Sequence, residues 1–303
     1  MQPRDSKRAK PLPDPTLLEA LDNDLLIRCA SYLDADGLVR LGRASATFGT
    51  PQAGQQRSLA NEVAHQLFRQ SATDEERGCL PEHDGESDIG QYRALEQLRE
   101  PLSFDELAGD GFSPQENRAR VTHAPGNWST AVSGHAMRGG RHFVEFTITY
   151  EDQYSTYVHL GVIRPVSLTN DSDLEADWRG NVNPIYVSSC RKPQLSEKLR
   201  SQRTAKWGDS EVHCCGYYCF GGRCEGTDWD TKVTYSEWHG HEGLDGSGTI
   251  GLLLDLDEGT LSVFKNNRRL GVMKDGGLSG EYCWFVSVYS PCVISMSKSR
   301  VPN

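Results

Sequence analysis

No apolar run in this 303-residue sequence approaches the ~20 residues that a helix needs to cross a bilayer, so no segment is expected to span a membrane. The opening MQPRDSKRAKPLPDP has no apolar core of the kind a signal peptide carries. Its nine cysteines, an odd number, are therefore expected as reduced thiols of a cytoplasmic or nuclear protein. Arg4, Lys7, Arg8 and Lys10 would suit a nuclear signal, although a run this short more often is only a solvated tail. Positive charge is also scarce. Lys and Arg total 32 against 42 Asp and Glu, giving a net charge of −10. With a pI near 5.4, this argues against nucleic acid or an anionic membrane as the main partner. There is no internal repeat, no long low-complexity tract and no G-x-S-x-G nucleophile elbow.

The constellations that suggest chemistry are few. Gly246, Gly248 and Gly251 match G-x-G-x-x-G, but a dinucleotide loop follows a strand and opens a helix, whereas these glycines lead into a strand. Asp255, Asp257 and Glu258 bring three carboxylates to a turn, and no further oxygen ligands follow at calcium-loop spacing. Solvated hairpin acids are the better reading. His213, Cys214, Cys215, Cys219 and Cys224 form the one metal-like cluster. Cys215-x₃-Cys219 could start a zinc site, with Cys224 and His213 completing it, but a second knuckle is missing. Reduced cysteines packed in a buried strand or turn explain the cluster better. No metal, cofactor or catalytic residue is expected; a zinc or thiol enzyme on Cys214–Cys224 is the distant alternative.

At this length about two domains are expected. Residues 1–13 read as a disordered, Pro- and charge-rich tail. Asp14-Pro15 suits a helix start, followed by Leu17, Leu18 and Leu21. Leu25, Leu26, Cys29, Tyr32 and Leu33 recur at three- and four-residue steps, as one helical face does, and Leu38 and Leu41 share another. Three short helices in so few residues have too little core to stand alone. Helices are also expected over Ser58–Arg69 and Asp88–Arg99, with 101–121 as a connector.

From Val121 the pattern changes to strands. Val144, Phe146 and Ile148 form one strand face, and Val158, Leu160 and Val162 another, after the polar loop 151–156. Thr249 to Val272 is the clearest stretch. Ile250, Leu252 and Leu254 alternate, Gly259 permits a tight turn, Leu261 and Val263 resume the alternation, and Asn266-Asn267 turns again. Such a three-stranded meander must bury its apolar face against a second sheet.

Leu254-Asp-Leu-Asp-Glu-Gly-Thr-Leu-Ser-Val-Phe-Lys-Asn266 and Tyr282-Cys-Trp-Phe-Val-Ser-Val288 resemble the central and C-terminal signatures of SPRY (B30.2-type) domains. Leu21 to Ser45 is similar to an F-box: Leu25 and Leu26 match its paired leucines, Ser31-Tyr-Leu-Asp34 its central step, and Leu38, Arg40, Leu41 and Ser45 its third segment. Asp22 stands where that family usually has proline. The resemblances imply an α+β multidomain chain: F-box-like helices over 14–50, a helical extension over 51–100, and an all-β SPRY-like sandwich over 122–300. They imply a non-enzymatic substrate adaptor whose F-box docks on a Skp-type adaptor of a cullin-RING ubiquitin ligase. The adaptor face would draw on Leu21, Leu25, Leu26, Leu33, Leu38 and Leu41. The unknown target would meet loop residues Tyr154, Ser155, Thr156 and Tyr157 on one wall and Tyr289 and Ser290 on the other. A SPRY interaction scaffold unconnected with ubiquitin is the alternative.

Overall fold

The computed structural model describes residues 21–77, 80, 87–113, 115–150, 157–169, 172–231, 233–299 and 301–302. The tail, the Asp14-Pro15 helix start and the loop residues Tyr154, Ser155 and Thr156 lie outside the described residues. Two compact units divide the chain, one formed by the residues before 74 with 83–99 and the other by 74–82 with those from 100 onward. Among the described residues no helix is long and apolar enough to cross a membrane.

The first unit contains α1 (Asn23–Ala30), α2 (Ala35–Ala44), the single turn α3 (Ala46–Gly49), α4 (Leu59–Ser71) and α6 (Asp88–Arg99); the short α5 (Asp74–Arg77) lies between the last two in sequence. Side-chain caps set the starts. Asp22 accepts from Leu25 N at 2.9 Å, Asp34 from Gly37 N at 2.7 Å and Ser58 from Asn61 N at 3.3 Å. One core joins Leu26, Leu38 and Phe48 to Leu59 and Val63, with Ile89 and Tyr92 packed against it. The described helices of the region expected over 14–50 thus share one core with those of the extension expected over 51–100: three short helices cannot bury enough apolar surface, and α4 and α6 complete their core.

The second unit is a sandwich of two antiparallel seven-stranded sheets. Its strands are β1 (Phe104–Ala108), β2 (Phe112–Ser113), β3 (Arg120–His123), β4 (Ser129–Ser133), β5 (Arg141–Tyr150), β6 (Val158–Ile163), β7 (Cys214–Tyr218), β8 (Cys224–Thr227), β9 (Thr234–Ser236), β10 (Gly248–Asp255), β11 (Thr260–Lys265), β12 (Arg268–Lys274), β13 (Cys283–Val288) and β14 (Cys292–Ser297). One sheet runs β1-β4-β13-β6-β7-β8-β9 and the other β12-β11-β10-β5-β14-β3-β2. The meander expected at Thr249 is β10-β11-β12, with Gly259 at φ 70° and Asn266 and Asn267 at φ 49° and 64° in its turns. The connector expected over 101–121 is corrected: β1 and β2 supply a strand to each sheet. Phe104–Ala108 buries only its two ends, so no two-residue alternation marks it in the sequence.

The apolar alternation of the central strands fills the space between the sheets. Val144, Phe146 and Ile148 of β5, Leu160 and Val162 of β6, Leu252 and Leu254 of β10, and Trp284 and Val286 of β13 meet there. The first sheet also buries part of its outer face. Ile163, Cys214, Cys283 and Phe285 lie under the helices α7 (Ser172–Trp178) and α8 (Pro193–Ser201), packed with Trp178, Leu195, Leu199 and Trp207. The other end of that outer face carries the candidate site.

Candidate functional site: an aromatic platform over a buried carboxylate

Strand register builds the site. On β6, Val158, Leu160 and Val162 point into the sandwich, so His159 and Gly161 face outward. His159 lies opposite Tyr218 of β7 and Ser287 of β13, and Gly161 lies opposite Gly216. Gly216 in turn lies opposite Glu225 of β8. The two glycines make this part of the face low. A Cβ on Gly161 would meet Cys215 O at 2.1 Å, and one on Gly216 would meet Ile185 Cδ1 at 3.0 Å. The segment carrying Asn183 and the 3₁₀ turn Pro184–Tyr186 can therefore lie against the sheet, which brings Tyr186 to the His159 ring at 5.5 Å between centroids.

A buried relay sits below. Asn183 Oδ1 accepts from Ile185 N at 3.1 Å, which turns its Nδ2 toward His159 Nδ1 at 3.4 Å. Nδ1 is then an acceptor, so the neutral imidazole carries its proton on Nε2 and donates to Glu225 Oε2 at 2.9 Å. The Glu225 carboxyl that takes this bond is itself only 1% exposed. Burial holds the His159 pKa below its usual 6.5, against the upward pull of Glu225. Burial, and then the Glu225 charge, raises the phenols of Tyr186 and Tyr218, the latter to about 12.

Aromatic rings close over this relay. His159 stacks on Tyr218 at 4.6 Å and 16°, and Trp128 lies 5.0 Å from His159 on the other side. Tyr289 is 5.7 Å from Trp128 and 6.1 Å from Tyr157, which is 6.4 Å from Tyr218. The Tyr157 and Tyr289 walls are joined through the backbone. Tyr289 N donates to Tyr157 O at 3.0 Å, and Tyr157 N donates to Ser290 Oγ at 3.0 Å. Tyr289 is 44% exposed, Phe220 extends the rim, and Trp128, Tyr157 and Tyr186 are half-buried. Arg223 reaches over the Tyr218 ring at 6.0 Å and lies 3.9 Å from Glu225 Oε1.

Of the expected target-binding residues, Tyr157, Tyr289 and Ser290 thus come together, with Ser290 buried beneath. Trp128, Tyr186, Tyr218 and the His159–Glu225 pair were not anticipated. Five of the six tryptophans are buried, which fits their reading as core; Trp128 is the exception. A usable signal was His159 itself, a polar ring within an otherwise apolar strand.

The cysteine cluster divides, although Cys215 and Cys224 meet with their sulfurs 3.7 Å apart. The pleat sends Cys214 to the helix-covered core and Cys215 to the core between the sheets, where Cys219 and Cys224 also lie. His213 instead packs against Trp207 and Trp229, each at 5.2 Å. No group of three or more potential ligands able to hold a metal occurs among the described residues. Burial raises the thiols of Cys214 and Cys219 well above their usual value, which disfavours the nucleophilic thiolate.

In the helical unit the six leucines divide. Leu26 and Leu38 are buried in its core, which corrects their assignment to an adaptor-facing surface. Leu33 and Leu41 are half-buried against that core. Leu21 and Leu25 are exposed, as are Cys29 and Tyr32: Leu25 and Cys29 stand one turn apart on α1, and Leu21 and Tyr32 lie just beyond its two ends, together the α1 stripe. Leu25 is 47% and Tyr32 85% exposed. The single face expected over Leu25–Leu33 is therefore two faces, one packed and one open.

Three solved structures are similar to the sandwich. The SPRY domain of human HERC1 is 13% identical with a TM-score of 0.44, covering 66% of this chain and 98% of that one. The PSpry domain of TRIM65 is 15% identical with a TM-score of 0.40, covering 67% and 95%. A human SPRY domain is 10% identical with a TM-score of 0.36, covering 64% and 97%. No family model matches the chain, and no curated protein matches it. Scores this low leave the reading of the site to its own geometry.

Proposed function

We propose that the chain is a two-part adaptor. The sandwich is a SPRY-type module that holds a target protein on the aromatic platform, and the helical unit docks through its α1 stripe on a Skp-type adaptor of a cullin-RING ligase. The observation that carries the target-binding half is the meeting of Tyr157 and Tyr289, 132 positions apart in the sequence, on one solvent-facing aromatic surface with Trp128. Tyrosine and tryptophan give rigid contact area with a polar handle, the composition of interface anchors. The docking half rests on the F-box-like residue pattern and on Leu21, Leu25 and Tyr32, which the unit's own core leaves uncovered. The chain makes and breaks no bond in this reading. It raises the local concentration of its target beside a ligase-bound conjugating enzyme.

The test is co-elution of the full chain with a Skp-type adaptor, repeated with Leu25→Asp combined with Tyr32→Asp. The wild type should form the complex and the double variant should lose it by at least about a hundredfold, because two apolar anchors contributing roughly 1.5–3 kcal/mol each become charges. Both positions are exposed, so helical circular dichroism should be unchanged. Retention of the complex by the variant, or none with the wild type, would overturn the ubiquitin half. The scaffold reading would then stand on the platform alone.

A further inference from the structure

We infer that the platform receives a cationic side chain, a lysine ammonium or an arginine guanidinium, presented by a partner polypeptide. This rests on the platform being the target-binding face and adds the chemistry of what it recognises. Three observations point to a cation. Trp128, Tyr157, His159, Tyr218 and Tyr289 form a closed circuit with neighbouring centroids 4.6 to 6.4 Å apart. A group seated on its accessible rings, Trp128, Tyr157 and Tyr289, lies within the ~6 Å over which ring faces attract positive charge. Directly beneath is the Glu225 carboxylate, taken out of water at 1% exposure and 2.9 Å from the His159 imidazole. Its field is thus weakly screened at the platform. Finally, the chain already sets a cation of its own at the rim: Arg223 lies over Tyr218, 3.9 Å from Glu225, with 44% of its side chain exposed. The pair is long and its arginine end solvated, so the guanidinium offsets the buried carboxylate only in part. An acidic side chain would meet both the ring faces and Glu225 with the wrong sign. The net charge of −10 steers basic partners in the same direction.

The probes are end-blocked Gly-Gly-X-Gly-Gly peptides with X as Arg, Lys, Leu or Glu, titrated into the full chain at physiological salt. The readout is the indole N–H resonance of Trp128, assigned through Trp128→Phe. The Arg and Lys peptides should bind roughly tenfold more tightly than the Leu peptide, and the Glu peptide more weakly still. Glu225→Gln keeps an acceptor for His159 and removes the charge; it should bring the Arg and Leu peptides to similar affinity. Should that variant unfold, Arg223→Gln gives the complementary test, since removing the competing guanidinium should strengthen binding of the Arg and Lys peptides. Binding of the Leu peptide as tight as that of Arg, lost in Tyr289→Ala, would leave the platform as a binding face and overturn its preference for cations. If no peptide shifts the Trp128 resonance, the platform assignment and the preference fall together.

Discussion

Replacing Arg164 with alanine is expected to destabilise the sandwich by about 3–5 kcal/mol, the sum of carbonyls left unpaired and packing lost. Arg164 follows directly on β6 and is fully buried. Its Nη1 donates to Ser279 O at 2.8 Å and to Glu281 O at 3.0 Å, and its Nη2 to Ser210 O at 3.2 Å. One guanidinium thereby ties two loop segments to the end of a central strand. It also lies over the Tyr282 ring at 4.0 Å and near Trp207 at 5.7 Å. Burial lowers its pKa to about 10, so it stays charged at neutral pH. Alanine leaves three carbonyls without that donor, each worth roughly 1–3 kcal/mol when buried, and opens a void beside Trp207. Arg164→Lys keeps the charge but not the planar fork, and should recover only part of the loss. All six tryptophans lie in the sandwich, so urea unfolding followed by tryptophan fluorescence reads this unit alone. A loss under ~1 kcal/mol for alanine would mean that the carbonyls find other donors and that the fork is not the tie described.

The parts of the fold that were legible in the sequence follow the two-residue period. The meander over β10–β12 was readable because Ile250, Leu252 and Leu254 alternate cleanly and because Gly259 and the two asparagines mark its turns. Strand β1 was not, since it buries only its ends, and β7 was obscured because both faces of its sheet are covered there. A strand buried on both sides loses its alternation, and Cys214-Cys215-Gly-Tyr-Tyr218 then resembles a ligand cluster. The platform was half legible. Its Tyr157 and Tyr289 walls followed from the family resemblance. Its floor depends on register: nothing local to His159 or Glu225 says that two strands will place them 2.9 Å apart. Likewise, the helical period located the apolar residues of α1 without telling packed Leu26 from exposed Leu25.

The sandwich should also lose stability in mild acid, before most of its carboxylates titrate. Burial holds five histidines below their usual 6.5: His123, His135, His142, His159 and His213, with His135 and His213 at about 4. Their neighbours oppose protonation unequally. Arg164 adds to the effect at His213, and Lys298 at His135 and His142, whereas Glu225 works against it at His159. The sign follows from which state takes up protons first. Above 6.5 neither folded nor unfolded imidazoles are charged, and the full stability is present. As the pH falls below 6.5 the unfolded chain binds protons that the folded chain refuses, so stability is lost progressively until the folded groups themselves titrate near 4. For His213, only 6% exposed and held between Trp207 and Trp229, the gap from 6.5 to about 4 corresponds to roughly 3 kcal/mol at the acid end. The check is a set of urea midpoints from tryptophan fluorescence between about pH 7.5 and 4.5, a span that brackets most of the shift. The midpoint should be flat above 6.5 and fall below it, and His213→Gln should make that fall shallower. A midpoint unchanged down to about pH 5 would show that these rings acquire partners on protonation, and that burial does not govern them.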